Sequence, residues 1–323
     1  MPKRPRALVA SFMIVAAWAA AASERLHIVI PAGPGGGLDG TAREVGRVFV
    51  ELDLVERVSF ENVSGGGGGR AMAYFLDNAD RFQTPLLVNS TPLLVRSLQG
   101  LFPYSFRDLT PVAGLVADYG VLVVRADDPR TTWQTVAAEL VRDPRAFAVG
   151  GGSARGSLDH IVLAMALRLV DVDPRAVRYL PYDGGGKAML ALLGGEVDLL
   201  SSGLGETMAF IEAGQVRVLA VTAPERIRAI ENAPTFVELG YPLVFANWRG
   251  LFGPPEMPAE VLAGHLERLR RMKASASWQA TLERRGWTSL TAEGPSFVTY
   301  LDAQERQLRE VMMDIGFVRI DGR

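Results

Sequence analysis

The sequence predicts a two-lobed α/β protein: two mainly parallel sheets, covered by helices and joined by two crossing strands. Three observations point there. Short apolar runs alternate with helical patterns from residue 26 onward, the alternation restarts near residue 119, and glycine clusters stand at the carboxyl ends of several strands. A length of 323 residues suits two lobes better than one compact domain.

Leu26–Ile30 reads as the first strand. Asp39–Leu52 follows as a helix with Ala42, Val45, Phe49 and Leu52 on one face. Val58–Val63 is the next strand, Gly69–Asn78 the next helix and Pro85–Asn89 the third strand. The grammar restarts with strand Tyr119–Val124 and the turn Asp127-Asp-Pro129. Helix Thr131–Val141, strand Phe147–Val149 and helix Ser157–Val170 come next. Strand Val177–Leu180, helix Lys187–Leu193, strand Val197–Leu200, helix Glu206–Ala213 and strand Val216–Val221 complete the second run. A last apolar strand, Val244–Phe252, precedes Gly253-Pro-Pro255 and charged helices. A strand after Asp118 and one ending at Phe252 serve as the two crossings. The organisation expected is a leader over 1–22, a first lobe over 23–120 plus 245–323, and a second lobe over 121–244. Two crossings make a hinge, and the cleft lies between the lobes, at the carboxyl ends of the parallel strands.

Composition narrows the function. Hydrophobic residues make up 48% and charged residues 22%, an ordinary globular balance, and the formal net charge of -2 argues against nucleic acid. There is no cysteine, so disulfides and thiolate chemistry are excluded. The leader has a basic head (Lys3, Arg4, Arg6) and an apolar centre from Ala7 to Ala22 broken only by Ser11. Small residues end it, as in a cleavable secretory signal. That centre is shorter than the roughly 20 residues a membrane span needs. Cleavage after Ala22 leaves 31 basic against 36 acidic residues, a net charge of -5. An exported, periplasmic protein is expected, with an uncleaved N-terminal anchor as the plain alternative.

Gly33–Gly37, Gly65–Gly69, Gly150–Gly152 and Gly184–Gly186 follow predicted strands. Such turns let backbone N–H groups approach a ligand, and a helix N-terminus just beyond adds donors and partial positive charge. Tight turns without a ligand are the plain alternative. Gly35-x-Gly37-x-x-Gly40 also matches a dinucleotide fingerprint, with Glu61 about where a ribose-binding acid sits. Export and the awkward Pro34 argue against it. Gly186-Lys187 precedes Ala188, not Ser or Thr, so there is no P-loop. Ser153 misses the nucleophile-elbow spacing. His27, His160 and His265 pair with no metal-spaced partner. No catalytic residue, metal or cofactor is expected.

Polar residues at the loops fit a binder. Asp39 caps its helix or touches ligand. Ser90 and Thr91 end the third strand. Ser153 and Ser157 offer hydroxyls, and Arg155 offers a bidentate cation or is a solvated loop residue. His160 lies one turn into the next helix, as a packing or capping residue. Arg249, inside an apolar strand, needs a partner: the ligand, Asp39 or Asp118.

Several ordered stretches resemble the Bug-type, TctC-like receptors of the tripartite tricarboxylate transporter system. They include Pro31-Ala-Gly-Pro-Gly-Gly-Gly-Leu-Asp39, Glu61-Asn-Val-Ser-Gly65, Gly151-Gly-Ser-Ala-Arg-Gly-Ser-Leu-Asp-His160, Leu180-Pro-Tyr-Asp-Gly184, Leu192-Leu-Gly-Gly-Glu-Val-Asp198 and Trp248-Arg-Gly250. The resemblance implies a type II periplasmic-binding-protein fold that closes on a small organic acid held largely by backbone donors and water. It carries binding over onto Gly35, Gly36, Gly37 and Asp39, with Leu38 between them in the candidate set, and onto Ser153, Ala154, Arg155, Gly156 and Ser157. Ser90, Thr91, His160, Tyr182 and Arg249 complete the candidate set. Arg249, where many Bug relatives carry Tyr, looks like the tricarboxylate branch and implies a citrate-like ligand. The implied partners are a small carboxylate and the membrane permease subunits of such a transporter, served by a monomer. The five-glycine run at 65–69 exceeds the usual family turn in glycine. Two other readings stay open: an exported α/β enzyme binding a nucleotide at the first glycine turn, and a receptor presenting its ligand to a sensor kinase.

Overall fold

The computed structural model describes residues 25–318; the expected leader lies outside them. The first sheet begins with β1 (Arg25–Ile30), β2 (Arg57–Asn62) and β3 (Thr84–Ser90), all parallel. Between them run α1 (Gly37–Glu51) and α2 (Gly69–Asn78), and α3 (Pro92–Leu98) follows β3. α1 buries Ala42, Val45, Val48 and Phe49, the stripe its periodicity requires.

The crossing is longer than its hydrophobic pattern indicates. β4 runs unbroken over Thr110–Arg125, nine residues ahead of the start expected at Tyr119. Gly114 and Asp118 interrupt the apolar run and disguise its continuity. A side chain at position 114 would strike Leu290 and Phe297, so glycine is what lets the strand pass there.

The first half of β4 pairs antiparallel with β9 (Ala246–Gly253), from Thr110 opposite Gly253 to Tyr119 opposite Ala246. β9 also pairs antiparallel with β3, and the short β10 (Thr288–Ser289) borders β4. From Gly120 onward β4 belongs to the second sheet, between β7 (Leu199–Gly203) and β8 (Val216–Val221). β5 (Ala148–Gly151) and β6 (Arg178–Pro181) extend that sheet in parallel with β7. Thus each sheet has a parallel core, and antiparallel pairing appears where the crossings enter.

α4 (Trp133–Arg142), α5 (Leu158–Arg168), α6 (Gly185–Leu193) and α7 (Leu204–Glu212) cover the second sheet. α8 (Ala259–Ala274), α9 (Ala276–Arg285) and α10 (Pro295–Asp314) follow β9. Ser275 caps α9 by accepting the Trp278 N–H at 3.2 Å, and Gly286, at φ 62°, ends it in the left-handed conformation.

Thr222 ties the crossings together. Its Oγ1 accepts the Gly120 N–H at 2.9 Å and donates to the Phe245 carbonyl, while the Phe245 N–H donates to the Thr222 carbonyl. The lobes also touch elsewhere. Gln99, just past α3, donates to the Gly156 carbonyl at 3.1 Å, and Arg168 of α5 pairs with Asp314 of α10. One hydrophobic cluster spans both sheets, from Val29 and Trp248 to Leu122, Trp133 and Val149, with Phe297, Leu308 and Met312 of α10.

Candidate functional site

Where β4 and β9 leave the first sheet, they form the floor of a cavity of about 130 Å³. Asp118 and Gly120 of β4, with Phe245, Asn247 and Arg249 around β9, supply one wall. Gly152, Ser153, Asp159, Gly184, Gly185, Ser202, Gly203 and Glu206 supply the other. The turns after β5 and β6 and the carboxyl end of β7 reach it, as expected for an open α/β sheet.

Arg249 is buried and its charge is already used. Its Nη2 donates to Asp118 Oδ2 at 2.6 Å and its Nη1 to Thr41 Oγ1 at 3.1 Å, and its guanidinium lies 4.8 Å over the Trp287 ring. Of the three partners open from sequence, Asp118 is the one. Asp118 also accepts the Gly205 N–H at 3.0 Å. Burial raises its carboxyl, against the pull of Arg249 and that amide. A Cβ on Gly37 would lie 3.0 Å from Arg249 Nη2, so the lobe-one turn abuts the pair directly.

Two further carboxylates face the cavity. Asp159 on α5 stands next to Ser153 and Gly152, which favour its charged form. Burial, then the nearby charge of Glu206, pushes it up to about 7. Glu206 in the first turn of α7 stays accessible from the open side of the cleft. The surrounding walls and Asp118 nevertheless raise its carboxyl, against the pull of Arg249 and of the Gly185 backbone beside it. Gly185 is bare for that reason, since a Cβ there would collide with the Glu206 carboxylate. The glycine turns expected to receive a ligand carboxylate therefore face the protein's own acids.

Of the candidates from sequence, Ser153 and Arg249 line the cavity. Ser153 Oγ accepts the Asp159 N–H at 3.1 Å. Gly35, Gly36, Gly37 and Leu38 form the lobe-one turn and open α1, whose N-cap is Gly36 rather than Asp39. Asp39 is 3% exposed and points inward. It accepts the Gly35 N–H at 2.9 Å, Arg43 Nε at 2.8 Å and Asn62 Nδ2 at 3.0 Å, with its carboxyl held down at about 2, chiefly by Arg43. It clasps the turn from within.

The remaining candidates sit around the cavity. Ser90 and Thr91 are buried where β3 meets β9, and Thr91 Oγ1 faces the Ala246 carbonyl at 3.4 Å. Arg155 donates to the Tyr179 carbonyl at 2.7 Å. Ala154 accepts the Ser157 N–H, and Ser157 is the N-cap of α5. His160 Nδ1 accepts the Gly156 N–H at 3.0 Å, and its ring packs on Tyr179 and Phe317. Desolvation, with help from Arg155, lowers His160 to about 4, so it is neutral at pH 7 and braces the turn. Tyr182 donates its N–H to the Gly151 carbonyl, behind the cavity. Glu61, the acid of the dinucleotide alternative, accepts the Tyr74 hydroxyl at 2.8 Å.

Sequence reading missed Asp159, Glu206 and Asn247 as cavity residues. Asp159 and Glu206 sit in the first turn of helices, where acids are common for dipole reasons alone, so their residue type drew no notice. Asn247 adjoins Trp248 in a strand whose depth only the crossing reveals.

The model of the tripartite tricarboxylate transporter family receptor matches residues 49–316. Protein BugT of Bordetella pertussis is 29% identical over 238 residues, covering 71% of this chain and 70% of its own. A TctC solute-binding protein from Polaromonas superposes with a TM-score of 0.73 at 25% identity, covering 90% of this chain and 98% of its own. MatC from Rhodopseudomonas palustris with bound malate superposes at 0.75 and 22% identity, covering 89% and 98%. The two-lobed α/β architecture is thus that of the periplasmic solute-binding proteins, and these similarities are to receptors rather than to enzymes.

Proposed function

The chain belongs to the tripartite tricarboxylate transporter receptor family, and from that premise we propose that it captures a small organic carboxylate in the interlobe cavity, in the periplasm, as a monomer, and delivers it to the permease of such a transporter. The observation that carries the reading is the cavity itself, walled by both crossing strands and by the glycine turns of lobe two. A solute there contacts the hinge and the moving lobe together, which is how a cleft couples binding to closure. The malate-bound relative supports a carboxylate as the ligand class.

A citrate-like ligand rested on Arg249 as a free cation. Its pairing with Asp118 withdraws that support, because a trianion needs more positive charge than remains. The cavity volume of about 130 Å³ also favours a compact solute.

The test is a thermal-shift and calorimetry screen of mature protein against organic acids and NAD. Binding at a hundred times Kd stabilises by about 2.7 kcal/mol, which such a screen reads easily. Stabilisation by a carboxylate and not by NAD is expected. Silence from every carboxylate removes the reading.

A further inference from the structure

The cavity offers a ligand acceptors where its family would lead one to look for donors. We infer that the solute is bipolar: a small carboxylate that also carries a protonated amine or quaternary ammonium group, which faces Asp159 and Glu206. The inference rests on the carboxylate reading above and narrows it.

The cavity defines the site; its lining defines the ligand. Three carboxylates, Asp118, Asp159 and Glu206, stand against the single guanidinium of Arg249. Asp118 takes that guanidinium at 2.6 Å. Asp159 and Glu206 form no ion pair among the described residues, and the nearest polar groups acting on them are Gly152 and Ser153 for the one, Gly185 and the already paired Arg249 for the other. A ligand anion at those groups would meet the protein's own carboxylates. A separate observation agrees. Asn247 Oδ1 is fully enclosed, accepts no hydrogen bond, and belongs to the same lining. A buried acceptor without a donor is costly, and a ligand N–H relieves it.

A purely structural role fits these acids poorly. The buried acids that do hold the fold, Asp39 and Asp118, each carry an arginine partner. A metal ion is not the missing cation either, since no three such side chains converge to hold one among the described residues. An organic cation needs no such convergence, and charge-assisted bonds to one or two acids suffice. The carboxylate end then turns to lobe one, where α1 begins at Gly37 with no side-chain cap on its first turn.

The experiment is calorimetry on mature protein at pH 8 with ligand pairs of one skeleton: 4-aminobutyrate against glutarate, β-alanine against succinate, and glycine betaine besides. Wild type is compared with the double variant D159N/E206Q and with E206Q alone, which keeps the test open if the double variant fails to fold. At least one amino acid or the betaine is expected to bind about tenfold or more tighter than its dicarboxylate partner. The variants are expected to lose that preference or reverse it. Tighter wild-type binding of the dicarboxylates overturns the inference and leaves the receptor reading standing. Binding of the ammonium ligands unchanged in every variant also overturns it. Silence from all five ligands overturns the inference, and the wider carboxylate screen then decides the receptor reading.

Discussion

The two sides of the cleft use the same local device to opposite electrostatic ends. In lobe one, the turn before α1 folds its acid inward: Asp39 is satisfied by Gly35, Arg43 and Asn62, and the helix start is left uncapped. In lobe two, the turns at Gly152 and Gly185 have acids of their own lying across them, Asp159 and Glu206. Glycine turns at strand ends supply donors in both lobes. What differs is where the neighbouring carboxylate goes: Asp39 turns inward to Arg43 and Asn62 and takes only the Gly35 amide, while Asp159 and Glu206 stay on the cavity wall. A run of glycines therefore marks an anion site only when the acids nearby are committed elsewhere.

The pair that joins the two sides is the place to break this comparison most severely. Arg249→Met leaves Asp118 buried without its cation. It should cost about 3–5 kcal/mol in urea denaturation. Returning most of that loss by also changing Asp118→Asn would show that the unpaired charge, not lost packing, is responsible.

The lobe-one acid is expected to come next. Asp39→Asn should cost about 2 kcal/mol at pH 7. The Asp39 carboxyl is lowered to about 2 from an ordinary 3.8, so its contribution is present above pH 4 and lost as pH falls through 2. Melting curves of the two proteins should converge in that acid range. A gap that holds undiminished to pH 2 contradicts the clasp.

The lobe-two acid has the opposite sign. The Asp159 carboxyl is raised to about 7, so the folded state holds its proton more tightly than the unfolded chain does. Its ionisation therefore weakens the empty protein as pH rises from about 4 to 7. Glu206, Asp118 and the Tyr179 hydroxyl are the titratable groups that bear on it, and Arg249 acts on Glu206. Asp159→Asn should match wild type near pH 4 and gain a Tm advantage of roughly 2–4 °C by pH 8. A loss of Tm at pH 8 would place Asp159 with Asp39 as a structural acid.

The smallest effect sharpens the comparison by marking its edge. Lys187 pairs with Asp183 on the exposed face of α6, outside the cavity. Lys187→Ala should move stability by less than about 0.5 kcal/mol and leave ligand binding unchanged.

Much of the fold was legible because it depends on local patterning. Helix Gly69–Asn78 and strand Val216–Val221 have the bounds their residues predict. The crossing strand was read short because Gly114 and Asp118 make sense only with their partners in place: Leu290 and Phe297 over one, Arg249 against the other. The helix at Pro92–Leu98 is too short for periodicity to announce. At the site, Ser153 and Arg249 stood out, one by its turn and the other by its cost of burial. Asp159 and Glu206 did not, because an acid near a helix start looks ordinary until the cavity beside it is known. Asp39 was seen, but whether it faced inward depended on Asn62, 23 residues away.

The hydrogen bond from Gln99 to the Gly156 carbonyl joins lobe one to the turn that His160 braces. Because the chain has no cysteine, one introduced at position 99 would be its only thiol. A fluorescent dye attached there would sit at the seam between the lobes. Its emission would turn closure into an optical signal, making the protein a reagentless sensor for whatever solute it carries.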